Sequence, residues 1–170
     1  MKRIVISSLI VLVNIVIQST IFPYIRIYDI QPNSMLIIVV IYGILRGDVE
    51  GGIFGFFSGL LVDVFFAKYI GLNALLGMLV GYFCGKPFRD FNYENYILPV
   101  VSVAVATLLY NFAFYFINYF FKGELDYVYY LYKIILPETI YNVVLCVPLY
   151  TLIFFINQKL EDYEKRNGLF

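Results

Sequence analysis

The chain has 170 residues, 62% hydrophobic and only 14% charged, with twelve basic and twelve acidic side chains and a mean hydropathy of +0.83. A water-soluble domain takes about 45–50% of its residues from the apolar set and about 25% from the charged set, so this composition fits lipid as its solvent. A net charge of zero without a basic stripe argues against nucleic acid. The lack of histidine removes Ser–His nucleophilic sites, His-ligated haem and the intramembrane proteases that need a Ser–His pair. The two cysteines, Cys84 and Cys146, match neither a metal-ligand spacing nor a secreted disulfide framework. Composition therefore suggests no metal and no cofactor.

In chain order, Lys2 and Arg3 precede an apolar run that continues to Phe22 and stops at Pro23. The opening resembles a signal peptide, but QSTIFP offers no small-residue cleavage pattern, so the run reads as a retained span. A bilayer-crossing helix needs about 20 mostly apolar residues. By that measure six spans are expected, at about residues 4–22, 32–47, 51–67, 71–86, 97–121 and 134–157. The second is short; Pro32 suits a first helical position, and Asn33 or Ser34 suits its cap. The sixth carries Pro137 in its first turn and Pro148 inside, where a lost backbone hydrogen bond favours a kink. The expected fold is all-α: one polytopic integral-membrane domain over 1–170, a compact six-helix bundle.

Lys and Arg set the expected orientation. With the N-terminus in the cytoplasm, the inner segments hold Lys2, Arg3, Arg46, Lys86, Arg89, Lys159, Lys165 and Arg166. The outer loops hold Arg26, Lys68, Lys122 and Lys133. Both termini are then cytoplasmic. Tyrosines fall at matching levels, Tyr24, Tyr28, Tyr69, Tyr127, Tyr129, Tyr130 and Tyr132 outside and Tyr82, Tyr93 and Tyr96 inside, as an aromatic belt requires. YVYYLYK, from Tyr127 to Lys133, reads as an interfacial segment.

In the third span Gly51, Gly55, Gly59 and Asp63 recur every four residues, and in the fourth Asn73, Gly77, Gly81 and Gly85 do the same. Each set forms one helical stripe, and the AKYI link makes the two spans antiparallel neighbours. Apolar side chains gain nothing by leaving lipid tails, so helices in a bilayer associate through close packing and polar contacts, both of which small residues permit. Face to face, the stripes would form a tight hairpin closed by an Asp63–Asn73 hydrogen bond. A carboxylate at a helix centre costs roughly 2.5–3.5 kcal/mol on the insertion scale, so Asp63 is expected to face protein or a hydrated cavity.

Ser7, Asn14 and Gln18 share a face of the first span. Gln18, Asp63, Asn73, Asn118, Glu138 and Asn142 all lie at the expected outer level. They either converge on a polar outer pocket or plug, or each satisfies a neighbouring helix separately. Arg26, Lys68 and Lys133 are available counter-ions. Asp63 and Glu138 are the one candidate acid–base pair, yet carboxylates in membranes more often pack or pair than react. No phosphate-binding loop or metal-ligand cluster accompanies them. Glu161–Arg166, EDYEKR, reads as a solvated helix end.

The succession QSTIFPYIRIYDIQPNSMLIIVVIYGILRG (Gln18–Gly47), GGIFGFFSGLLVDVFF (Gly51–Phe66) and GLNALLGMLVGYFCG (Gly71–Gly85) resembles MreD, the rod shape-determining membrane protein family of bacteria. The last two spans match it in hydropathy and position rather than in motif. The resemblance implies a fold similar to the substrate-binding subunits of energy-coupling-factor vitamin transporters. It also implies a non-enzymatic, multi-pass place in the bacterial plasma membrane, within the cell-elongation machinery. The implied partners are an MreC-like bitopic protein, an MreB-like actin filament, a RodA-type glycosyltransferase and a class B penicillin-binding protein. Pro32, Arg46, Gly55, Gly59, Asp63, Gly71 and Asn73 match the family's pattern and, with Gly77 and Gly81, are expected to shape the hairpin and a partner surface.

Three functions follow for comparison. The leading one is a scaffold that binds a partner's transmembrane helix on its lipid-facing surface and cytoplasmic components on Leu45–Gly51 and Lys86–Glu94. There Arg46 with Asp48 or Glu50 forms either an ionic patch or a solvated turn. The alternatives are a small-molecule-binding subunit of a vitamin-type transporter and an enzyme using Asp63 or Glu138.

Overall fold

A computed structural model of the chain describes residues 2–26, 30–67, 70–86, 96–122 and 127–166. Lys68, Arg89, Tyr28, Tyr69, Tyr93 and the segment 87–95 lie outside the described residues, as do the side chains of Asn118, Lys122 and Tyr127. Every extended element among those described is helical: α1 (Lys2–Thr20), a 3-10 turn (Phe22–Ile25), α2 (Ser34–Arg46), α3 (Asp48–Phe66), α4 (Leu72–Gly85), α5 (Ile97–Lys122), the single turn α6 (Tyr127–Tyr130), a π-helical turn (Leu131–Ile135) and α7 (Leu136–Arg166).

Three stretches are long and apolar enough to cross a membrane: Asp48–Phe66, Ile97–Ile117 and Val128–Tyr163. Val5–Thr20, Ser34–Arg46 and Leu72–Gly85 are apolar but shorter. The sequence itself cuts α2 short. Asn33 is its cap, with Oδ1 accepting from Leu36 N–H at 3.1 Å, so Pro32 precedes the helix instead of opening it. At the other end Gly47, at φ +93°, ends α2 and starts α3 in a one-residue turn that a side chain would strain. The last helix runs to Arg166, so EDYEKR is the helix end that was expected.

Packing centres on α2, which α1, α3, α4, α5 and α7 all touch. Every α2 residue except Tyr42 and Arg46 is buried, as expected for a helix that is apolar all round. The α3–α4 hairpin packs on α2, and so does the α5–α7 pair. The outward faces carry large apolar side chains: Val5, Leu9 and Val16 on α1, Phe57, Val64 and Phe65 on α3, Leu109 and Phe116 on α5, and Ile140 and Val144 on α7 are each at least half exposed. So continuous an apolar surface fits hydrocarbon, not water.

Within the hairpin, backbone lies against backbone. A Cβ on Gly77 would sit 2.5 Å from the Gly55 carbonyl oxygen, and one on Gly55 would strike the Gly77 carbonyl. A third helix joins at Gly43, whose added Cβ would lie 2.6 Å from the Gly81 oxygen. Gly52, one residue off the stripe, would meet nothing closer than 3.5 Å. Gly55→Ala is therefore expected to cost about 1–3 kcal/mol, the range for overpacking, while Gly52→Ala stays within about 0.5 kcal/mol. Thermal unfolding of both variants in detergent measures the difference; equal effects would refute the close-packed hairpin.

Candidate functional site

The polar side chains of the bundle gather at its two ends. At the first, α4 begins at Gly71, a residue at φ +108° with no side chain to cap the helix. A helix start leaves backbone N–H groups without intrahelical partners, and lipid offers none. Asp63, one turn from the end of α3 and 1% exposed, supplies them. Oδ2 accepts from Gly71 N–H at 2.9 Å and Ala74 N–H at 3.0 Å. Oδ1 accepts from Asn73 N–H at 3.2 Å and Asn73 Nδ2 at 2.8 Å. The carboxylate is thus the missing cap of α4, placed where the helix dipole favours negative charge.

From Asn73 the bonding continues through the bundle. Tyr110 of α5 donates its hydroxyl hydrogen to Asn73 Oδ1, with the Asn33 side chain beside that hydroxyl. Asn33 N–H donates to Asn142 Oδ1 at 2.8 Å, and Asn142 Nδ2 donates to Thr107 Oγ1 at 3.1 Å. Glu138 meets the side chains of Asn111 and Asn142. Five helices are pinned together by this chain, with Asn142 and Thr107 wholly buried.

The structure therefore joins Asp63, Asn73, Asn142 and Glu138 through intermediates that sequence reasoning missed: Asn33 as a bridge, Tyr110, Thr107 and Asn111. Their signal was a polar residue at i, i+3 or i+4 on α5, Thr107, Tyr110 and Asn111, hidden in an otherwise apolar helix. Gln18 takes no part in the chain and lines an adjoining cavity instead. Lys133 does not serve as a counter-ion for these acids: its ammonium lies over the Tyr129 ring, 4.6 Å from the centroid, and bonds the Tyr129 hydroxyl. Along α1, Ser7 reaches the Tyr42 hydroxyl at 3.1 Å and Asn14 reaches Met35 Sδ at 3.8 Å, so this polar face turns toward α2.

At the opposite end, Arg46 closes α2 with a side chain only 8% exposed. Its Nε lies 3.1 Å from Glu50 Oε2 and its Nη1 lies 3.5 Å from Glu161 Oε1, which also accepts from Asn157 Nδ2 at 3.0 Å. Sequence reasoning paired Arg46 only with the turn beside it. The long-range half, to Glu161, fastens α7 to the α2–α3 turn. Asp48, the first residue of α3, accepts at Oδ1 from Val49 N–H at 3.0 Å.

These features define a helical membrane protein whose ionisable groups tie helices together. The family model of the rod shape-determining protein MreD matches residues 1–160, and the chain belongs to that family, which makes it a membrane protein of rod-shape determination. No curated protein and no solved structure matches the chain.

An amide at position 63 presents one acceptor where four N–H groups now converge. Asp63→Asn is expected to cost about 1–3 kcal/mol, the penalty for orphaned buried donors. Adding Asn73→Asp, which restores a carboxylate in the first turn of α4, should recover part of it. Unfolding of the single and double variants in detergent gives both numbers, and an Asp63→Asn protein as stable as the parent would overturn the capping role.

Proposed function

We infer that this chain is a non-enzymatic scaffold of the bacterial cell-elongation complex, a multi-pass protein of the plasma membrane with six spans and both termini in the cytoplasm. On this reading the Asp63 end of the bundle faces outward and the Arg46 end inward. The lipid-facing surface receives the transmembrane helix of an MreC-like partner. The turn at Leu45–Gly51 and the segment Lys86–Glu94 face the cytoplasm and the MreB-like filament. RodA-type glycosyltransferase and class B penicillin-binding protein complete the assembly. The resemblance supplies these partners, and the glycine hairpin, Pro32, Arg46, Gly71 and Asn73 shape the docking body.

The observation that carries the reading is the state of Asp63. Both of its oxygens are taken up by α4, whereas a general base must reach a substrate proton with a free lone pair. A body held by backbone contact and a buried cap suits passive docking more than turnover. The vitamin-transporter reading rests on the polar outer cluster and the implied fold, and it asks for a roomy cavity there; the candidate is the one beside Gln18. Its volume, about 110 Å³, is well below the roughly 300–1,000 Å³ of sites for drug-sized ligands.

The decisive variant is Asp63→Asn with Glu138→Gln, expressed to the parent's level in the membrane. A scaffold keeps cells rod-shaped and still co-purifies with the MreC-like protein and the synthases. Loss of rod shape with those partners still assembled would instead assign the two acids a chemical role. Depletion of the protein that leaves the partners assembled and the cells rod-shaped would end the scaffold reading.

A further inference from the structure

The cavity of about 110 Å³ at the Asp63 end is lined by Gln18, Asn33, Asn73 and Tyr110, by Met35, Leu36, Val39 and Val62, and by the glycine floor of the hairpin. Three of its four polar side chains are already engaged. Asn33 Oδ1 accepts from Leu36 N–H, Tyr110 donates to Asn73 Oδ1, and Asn73 Nδ2 donates to Asp63. The fourth is not: Gln18 Oε1 is buried and has no hydrogen-bond partner among the described residues. A buried acceptor left unpaired costs about 1–3 kcal/mol, so it marks a place where a donor belongs.

The lining also sets the character of that donor. No charged side chain among the described residues lines the cavity, and an ion there would be desolvated without compensation. Met35, Leu36, Val39 and Val62 ask for an apolar body. A cavity of about 150 Å³ holds benzene, with six carbons, which scales to four or five non-hydrogen atoms here. Gln18 is two residues from the end of α1, Asn33 immediately precedes α2 and Asn73 is the second residue of α4. The cavity therefore starts near the end of the bundle and extends to Val39, Gly55 and Gly77 in the middle of their helices.

We propose that this cavity is a binding site for a small neutral molecule with a hydrogen-bond donor, a primary amide or an alcohol of about four or five non-hydrogen atoms. The donor bonds Gln18 Oε1 and the alkyl part packs on Val39 and Val62. The site does not rest on the docking role, since it is argued from the lining of the cavity alone.

Two isomers test it. Propionamide carries an N–H donor, while N,N-dimethylformamide has the same formula and none. Saturation-transfer NMR on the full chain in lipid nanodiscs, with protein-free discs subtracted, should show saturable binding of propionamide. The isomer should bind about fivefold more weakly, the worth of one neutral hydrogen bond. Gln18→Met keeps the length of the side chain and removes the acceptor, so it should lower propionamide to the level of its isomer. The proposal fails if propionamide gives no signal above protein-free discs, if the isomers bind equally, or if folded Gln18→Met keeps the preference. Should that variant not fold, the isomer comparison on the parent chain decides alone.

Discussion

Lipid offers no hydrogen bonds, and that constraint organises the Asp63 end of this bundle. Any helix that starts at membrane depth must find partners for its first N–H groups within the protein. α4 starts on a glycine and cannot cap itself. Asp63 answers from the preceding helix, eight residues upstream, with four accepted hydrogen bonds. The link between the helices can therefore be short, and a short link brings α3 and α4 into contact along their length. The glycines then set how near they come: without Cβ atoms, the carbonyls of one helix touch the backbone of the other.

How far the sequence revealed this differs from residue to residue. The four-residue recurrence of Gly51, Gly55 and Gly59 against Gly77, Gly81 and Gly85 is a local periodicity, and the faces it defines meet in the structure. A hydrogen bond between Asp63 and Asn73 followed from the same count. That Asp63 caps a helix was not visible, because the motif spans two elements and depends on the left-handed Gly71. Gly43 was missed for a similar reason. It is the one glycine within α2, and although Gly47 and Gly51 follow it at the same four-residue spacing, the turn at Gly47 breaks the stripe, so only the three-helix crossing shows why a side chain would not fit. Helix ends were the least legible, since Asn33 and Gly47 define α2 through bonds and dihedrals that hydropathy does not register.

Arg46 and Glu161 make the same point over a longer range. The resemblance singled out Arg46, and its neighbour Glu50 was available as a partner at i+4. Glu161 lies more than a hundred residues further on, in a segment whose alternating charges look like a solvated helix surface. The pair exists because α7 returns past the end of α2 after crossing the bundle, a fact of tertiary course that composition does not encode. The Arg46 side chain is 8% exposed, but Glu50 and Glu161 are 50% and 38% exposed, so solvent screens both pairs and each contributes little by itself. Their part is to fix where the buried guanidinium sits between the α2–α3 turn and α7.

The two ends thus perform matched tasks on one central helix. α2 is apolar apart from its ends and Tyr42, whose hydroxyl meets Ser7 of α1, so along most of its length the α3–α4 hairpin and the α5–α7 pair are held to it by van der Waals packing. Polar bonds at its termini supply the fixed points. At one end Asn33 bonds Asn142 of α7 while Tyr110 of α5 bonds Asn73 of α4; at the other, Arg46 holds Glu50 of α3 and Glu161 of α7. Taken together, the bonds at each end tie elements from both sides of α2. A body locked in this way holds its long apolar helix faces in one arrangement, so whatever meets them has no helix to order on contact.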